Sequence, residues 1–421
     1  MAKRIHTLTV FEHQPVRQGS GADQLSAAEL QALQLHHGEK GVPYFSLIHR
    51  GVKFNQYVGV LQVGKRLIEV LPKADKDDGE DLWRNRLIDM LRATGTLQVE
   101  NTSSSQLKIK PNSVLDLYFE LLIAEMEQLL HRGLVKQYRQ TTGNRTALKG
   151  SLQFAQHLNH NLVHQERFYV RHTTYDRRHL LHQILYEALL LLQRLNTHPQ
   201  LHHRIGRLLL DWPEQDRLKA YPALFDRITF NRKTIYYRSA IQIAKMLLLN
   251  YHPDVSRGQE DVLALMFDMN QLWERFVYVS LRKYAPEGIT VHAQNTKSFW
   301  TPDQGQKRMM RPDILFKSAG QKTIVLDTKW KRPNGYGPSP DDLRQLYVYL
   351  KYYGAEKAAL VYPGGNKTVN GRFAPLPGVG SKFSGEGSLL FLPVGNEVWN
   401  WQQEISAVVF KWTAKHQNPT K

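Results

Sequence analysis

The chain has 421 residues, enough for two or three domains that each bury a core. Lys and Arg outnumber Asp and Glu by 56 to 38, a formal charge of +18 with a pI near 9.8, and this balance favours a polyanionic partner. The absence of cysteine excludes disulfides and Cys-ligated zinc and suits a reducing cytoplasm, the expected compartment.

The opening segment MAKRIHTLTVFEH alternates polar and apolar residues and lacks a signal peptide's apolar core. The longest apolar stretches, such as Ala188 to Leu192 and Met246 to Leu249, fall far short of a membrane span, so no membrane partner is expected.

In chain order, Ile5 to Glu12 reads as a strand, and Ser26 with Glu29 forms an S-x-x-E capping box that starts a short helix. Tyr44 to Ile48, Lys53 to Val58 and Val60 to Leu71 read as strands, with turns at Gly51 and at Val63 to Lys65. Leu82, Trp83, Leu87, Met90 and Leu91 share a helical face, and Asn101 to Ser105 is loop-like. A long helix is predicted over Ser113 to Leu130, opening a mainly helical middle region with helices near 178–195, 201–210 and 235–250.

That region gathers Lys136, Arg139, Arg145, Lys149, Arg167, Arg171, Arg177 and Arg178, interleaved with Tyr138, Phe168, Tyr169 and Tyr175. Such a mixture can track a phosphate backbone, or it can be a solvated face whose aromatics belong to the core. His157, His160 and His164 lack an accompanying carboxylate, so they read as surface or phosphate contacts rather than metal ligands.

Pro253, Ser256 and Gly258 interrupt the helical pattern, which puts a domain boundary near 252–259. Beyond it come an apolar run at Val262 to Phe267, a helix over Met269 to Tyr284 containing Glu274, and a strand at Ile289 to Ala293. A hairpin, a loop at Pro333 to Pro340, a helix over Asp341 to Tyr353 and a strand at Lys357 to Tyr362 follow. Gly364 to Gly387 reads as irregular, and a strand at Leu389 to Val394 and a helix from Glu397 to Thr413 close the chain. The expected fold is thus α/β and α+β multidomain: a β-rich region over 1–105, the helical basic region over 106–255 and an α/β sheet domain over 256–421.

The hairpin, RPDILFKSAGQKTIVLDTKWK, carries the chemistry. If Lys317 faces Thr323 across a turn at Ser318 to Gln321, Asp313 falls opposite Asp327, and alternation puts Lys329 on the same face as Asp327. Opposed carboxylates on a buried strand repel, and a divalent cation would compensate. Asp327-Thr-Lys329 is the only acid-x-Lys triplet in the chain, although a structural ion pair between Lys329 and the two aspartates is the alternative. The functional reading is phosphodiester hydrolysis, with carboxylates holding Mg²⁺ and the lysine orienting water or stabilising charge.

Arg311-Pro312-Asp313 followed by Asp327-Thr328-Lys329 resembles the PD-(D/E)xK nuclease signature, with Asp in place of the commoner Glu. The stretch from Asp268 through Glu274 resembles the helix whose glutamate often joins that active site, and Gln345 with Tyr349 resembles the QxxxY element of the RecB-like branch. Tyr57-Val-Gly-Val-Leu-Gln-Val-Gly, Ile68 to Lys73 and Leu148-Lys-Gly-Ser-Leu152 are similar to the McrC family, the nuclease subunits of McrBC-type restriction systems. The resemblance implies a C-terminal domain that cuts double-stranded, modified DNA with Mg²⁺ and an N-terminal region that docks on a GTP-hydrolysing AAA+ ring, McrB. It also implies that Asp313 and Asp327 ligate the metal, that Glu274 assists directly or through water, that Lys329 activates the nucleophile, and that Gln345 and Tyr349 support them. No P-loop motif occurs, so GTP would enter only through the partner. The rival readings are an inactive scaffold that activates the partner's GTPase, and a stand-alone nuclease without a motor.

Overall fold

The computed structural model describes residues 6–64, 66–72, 79–95, 114–196, 198–252, 262–318, 323–331, 337–374, 385–395 and 397–414. The chain divides into two compact units, one formed by Met1–Ile5 with Gln98–His252 and the other by His6–Leu97 with Pro253–Lys421. No helix among the described residues is long and apolar enough to cross a membrane.

In the second unit, strand His6–Phe11 runs parallel to Arg66–Leu71, which pairs antiparallel with Tyr57–Val63. The next strand is Val262–Asp268, antiparallel to Tyr57–Val63. The apolar run expected to open the C-terminal domain thus joins a sheet with strands of the N-terminal region, a pairing whose distance in sequence leaves no local trace. Gly59 marks the pairing: its φ is 135°, and a Cβ there would come within 2.1 Å of the Leu265 carbonyl oxygen. A smaller sheet of Pro15–Arg17, Gly51–Phe54 and Phe45–Ile48 and the helix Ala27–His37 pack on this layer. The Ser26 and Glu29 capping box is present as expected, whereas the turn expected at Gly51 falls one residue earlier, at Arg50, with φ of 51°.

Strand Val262–Asp268 runs directly into helix Met269–Lys283, whose first turn is capped by Asp268 accepting from the Asn270 N–H at 2.9 Å. Past the helix, a six-stranded mixed sheet has the order Ile289–Ala293, Ile314–Ser318, Thr323–Thr328, Ala355–Pro363, Glu386–Leu392, Lys367–Arg372. The first three strands are antiparallel and the next two join in parallel, so Thr323–Thr328 is an interior strand. Its register, Ile314 opposite Leu326 and Phe316 opposite Ile324, is the one that strand arithmetic anticipates. The connecting turn and the first half of the loop at 333–340 lie outside the described residues. Helix Pro340–Tyr353 buries Leu346, Tyr349, Leu350 and Tyr353 on one face of this sheet and stops at Gly354 in the left-handed region.

Two features here escape the sequence pattern. Lys367–Arg372 is an edge strand inside the stretch read as irregular; its side chains are mostly exposed on both faces, so no alternation betrays it. A two-stranded hairpin, Lys297–Trp300 with Arg308–Met310, intervenes between Ile289–Ala293 and Ile314–Ser318.

Four indoles form the centre of this unit. Trp83, Trp273 and Trp401 are buried on three different helices, and Trp330 directly follows Lys329. Their ring centroids lie 5.5 Å (Trp273 to Trp330) and 6.3 Å (Trp83 to Trp330, Trp273 to Trp401) apart. The Trp330 Nε1–H donates to Glu12 Oε1 at 2.8 Å, tying the end of the first strand to the end of Thr323–Thr328.

The other unit contains helices Val114–Arg132, Leu180–Leu195, Pro199–Asp211 and Arg238–Leu249, close to the expected ranges. Arg204 clamps Glu127 at 2.8 and 2.9 Å and reaches Glu120 at 3.3 Å, joining two of these helices. The region is not only helical: Gln137–Arg145 pairs along its length with Phe168–Asp176, and Ser151–Leu152 adds a third strand. The basic segment lies on this sheet. Tyr138 and Tyr175 face each other across it, 4.6 Å apart and exposed, with Lys136 over the Tyr175 ring, so these two aromatics are surface and not core. The expected loop at 101–105 and nearly all of the 252–259 boundary lie outside the described residues.

Candidate active site

Asp327 is the buried centre of the site, at the end of an interior strand and only 2% exposed. Its Oδ2 lies 2.8 Å from the Lys329 Nζ, and the same ammonium donates to Gln345 Oε1 at 3.0 Å. Gln345 Nε2 donates to the Tyr349 hydroxyl at 2.9 Å, and that hydroxyl donates to the Arg311 carbonyl at 3.1 Å. Because Gln345 and Tyr349 are four apart on a helix, they stack on one face and form a single relay from Lys329 back to Arg311, two residues before Asp313. Asp327 and Lys329, two of the four expected catalytic residues, are thus joined by an ion pair and hydrogen bonds to the two expected supporting residues, Gln345 and Tyr349.

Asp313 and Glu274 join through residues the sequence reading passed over. The Thr328 N–H and hydroxyl both donate to Asp313 Oδ2, at 2.6 and 2.7 Å. Gln294, at the end of strand Ile289–Ala293 with φ of 50°, donates its N–H to the Asp313 carbonyl at 2.9 Å and its Nε2–H to Glu274 Oε1 at 2.9 Å. Asp342, in the first turn of helix Pro340–Tyr353, is a further acid: it lies 3.7 Å from Lys329 and 2.6 Å from Lys331. A signal for Asp342 was available, since Ser339 caps that turn by accepting from the Asp342 N–H at 3.1 Å. Gln294 and Thr328 carry no charge and offered none.

The electrostatics follow from burial and crowding. Burial pushes the Asp327 carboxyl up, and the Asp313 carboxylate pushes it further, so that it reaches about 7 although Lys329 opposes both. Asp313 is also raised, by burial, against the pull of Thr328, Lys329 and Arg311. Glu274 is raised by burial and then by Asp313. Burial acts downward on Lys329, but Asp327, Asp342 and Asp313 outweigh it and hold the ammonium above its ordinary value. The site therefore keeps a firmly protonated lysine beside carboxyls that are costly to ionise together.

A pH dependence follows. A carboxyl raised on folding contributes stability that is fully present below its unfolded value and is lost as pH rises through the folded one, so Asp327 should cost stability between about pH 4 and 7. In metal-free protein, Asp327→Asn is expected to raise stability at pH 8 relative to wild type by on the order of 2 kcal/mol and to change little at pH 4. Thermal unfolding at the two pH values checks this, and equal effects at both would contradict it.

Oxygen donors of this kind suit a hard cation such as Mg²⁺. Among the described residues no three His, Cys, Asp or Glu side chains stand close enough to hold a metal by themselves. Mg²⁺ is usually held by one or two carboxylates together with water and substrate phosphates, so the donor set fits it with the substrate completing the shell. Of the three histidines, His157 stacks on Phe168 and accepts from the Tyr169 N–H at 3.3 Å, and His160 stacks on Tyr169, whereas His164 does have a carboxylate beside it, Glu166 at 3.4 Å, contrary to the expectation that none accompanies them.

Comparison with known proteins adds the family context. Residues 52–363 match the model of the McrBC 5-methylcytosine restriction system component family. A curated relative, the type IV methyl-directed restriction enzyme EcoKMcrBC of Escherichia coli K12, is 24% identical over 290 residues, covering 63% of this chain and 81% of the relative. Among solved structures, the chain resembles one from the Thermococcus gammatolerans half-complex of McrB AAA+ hexamers with bound McrC. The TM-score is 0.72 at 18% identity, over 96% of this chain and 100% of the other. A second Thermococcus gammatolerans McrBC complex gives a TM-score of 0.50 at 19% identity, over 65% of this chain and 87% of the other.

Proposed function

Because the chain belongs to the McrBC 5-methylcytosine restriction system component family, we propose that it is the DNA-cleaving subunit of such a system, with a PD-(D/E)xK site in its C-terminal half. It would work with an McrB-like AAA+ ring that supplies GTP hydrolysis, which this chain would stimulate, and the Thermococcus assembly of McrB hexamers with McrC supports that pairing. The observation that carries the nuclease reading is the continuous chain Asp327, Lys329, Gln345, Tyr349, Arg311 C=O, which returns to within two residues of Asp313.

Asp313 and Asp327 would hold the divalent cation, with Glu274 assisting from the neighbouring helix. When bound, the cation would neutralise charge on the scissile phosphate and acidify the attacking water. Lys329, fixed between Asp327 and Gln345, presents a directed positive charge toward the phosphoryl group. Thr328 orients Asp313 and Gln294 orients Glu274, each by locking one carboxylate oxygen. Tyr349 holds the Gln345 amide so that its oxygen faces the ammonium.

Gln345→Ala removes an orienting group without removing charge, so turnover is expected to fall about 10–100-fold with DNA affinity unchanged. Single-turnover cleavage beside equilibrium binding tests this, and an equal loss in both would argue that Gln345 contacts DNA instead.

The rival reading is a DNA-clamping scaffold that has lost cleavage. Comparing the assembled complex of wild type with that of Asp313→Ala separates the two, since a scaffold would be indifferent to the substitution.

A further inference from the structure

The hairpin Lys297–Trp300 and Arg308–Met310 is unused by the chemistry above, yet both of its ends are rooted in the site. Gln294, three residues before it, bonds Glu274 and the Asp313 backbone, and Arg311, just after it, accepts from Tyr349. The hairpin is braced against helix Pro340–Tyr353. The Tyr353 hydroxyl lies 2.7 and 2.9 Å from the Asn295 and Met310 carbonyls and shares its one proton between them, the Tyr352 hydroxyl donates to the Ser298 carbonyl, and the Lys297 ammonium sits 4.6 Å from the Tyr353 ring centroid. Such bracing fastens the ribbon to the helix that also carries Gln345 and Tyr349.

What it holds out is unusual for a solvated hairpin. Phe299 and Trp300 are 52% and 56% exposed at the end of one strand, and Met309 is 53% exposed on the other. The span 297–311 carries four cations, Lys297, Lys307, Arg308 and Arg311, against one acid, Asp303. Exposed aromatics within a cationic ribbon match a polyanion with apolar surfaces between its charges, and a two-stranded β-ribbon fits the major groove of duplex DNA, about 12 Å wide. We propose that this hairpin enters the major groove beside the scissile phosphate, its cations on the backbone and Trp300 against the base edges. The proposal names the DNA-engaging element of the nuclease site and rests on that reading for its role.

The contact can be measured without cleavage, by fluorescence anisotropy of a labelled duplex with the full-length chain in EDTA. Trp300→Ala is expected to weaken binding about 10-fold with the salt slope unchanged, whereas Lys307→Ala with Arg308→Ala should lower the slope by about 1.8. Guanine N7 atoms protected from methylation by wild type should become reactive in Trp300→Ala. Unchanged affinity, slope and N7 reactivity would overturn the proposal. So would altered self-association on sedimentation with DNA binding intact, which would make the hairpin an interface between copies of this chain. Loss of binding in these variants, together with no cleavage by the wild-type complex, would leave the hairpin contact standing and remove the nuclease reading instead.

Discussion

Lys329→Ala is expected to lower DNA cleavage by about 10³-fold while leaving the fold and assembly with the GTPase ring intact. Lys329 is partly exposed, so its removal opens no core cavity, but it is the group through which Asp327 and Gln345 meet. It also balances three carboxylates, and without it Asp327 should become still harder to ionise. Lys329→Arg is expected to rescue poorly: a planar guanidinium cannot take the place of a compact ammonium between a carboxylate at 2.8 Å and an amide oxygen at 3.0 Å. Cleavage rates at saturating partner check both variants, and a fully active arginine variant would mean that only net charge matters here.

The second large effect concerns Trp330. Trp330→Ala is expected to destabilise the protein by about 3–5 kcal/mol, because the indole packs against Trp83 and Trp273 in a sealed core. Trp330→Phe keeps most of the apolar volume but loses the Nε1–H donated to Glu12, and should cost about 1–2 kcal/mol. Since Trp330 follows Lys329, the phenylalanine variant should also slow cleavage more than its stability loss accounts for. Urea titration alongside single-turnover rates distinguishes the two contributions.

The site was legible where chemistry and register are local. The pairing that sets Asp313 against Asp327 follows from a short turn and two apolar runs, and the structure has that register. Gln345 and Tyr349 follow from helical spacing. The strand Val262–Asp268 shows its apolar character but not its sheet, since pairing with Tyr57–Val63 depends on tertiary contact and not on its own pattern. Gln294 was invisible for another reason: its role comes from a left-handed turn that aims one amide at Glu274 and one N–H at Asp313. The hairpin at 297–310 leaves no signal in the sequence, because both of its strands are exposed and too short to alternate.

The central claim is that these carboxylates form a working catalytic centre inside a GTP-driven assembly. The most direct measurement follows GTP hydrolysis and cleavage of methylated duplex in the same reaction, in Mg²⁺, with the ring partner and either wild type or Asp327→Ala. Stimulated GTPase is expected in both, and cleavage only with wild type. Cleavage by the Asp327→Ala complex at the wild-type rate would contradict it.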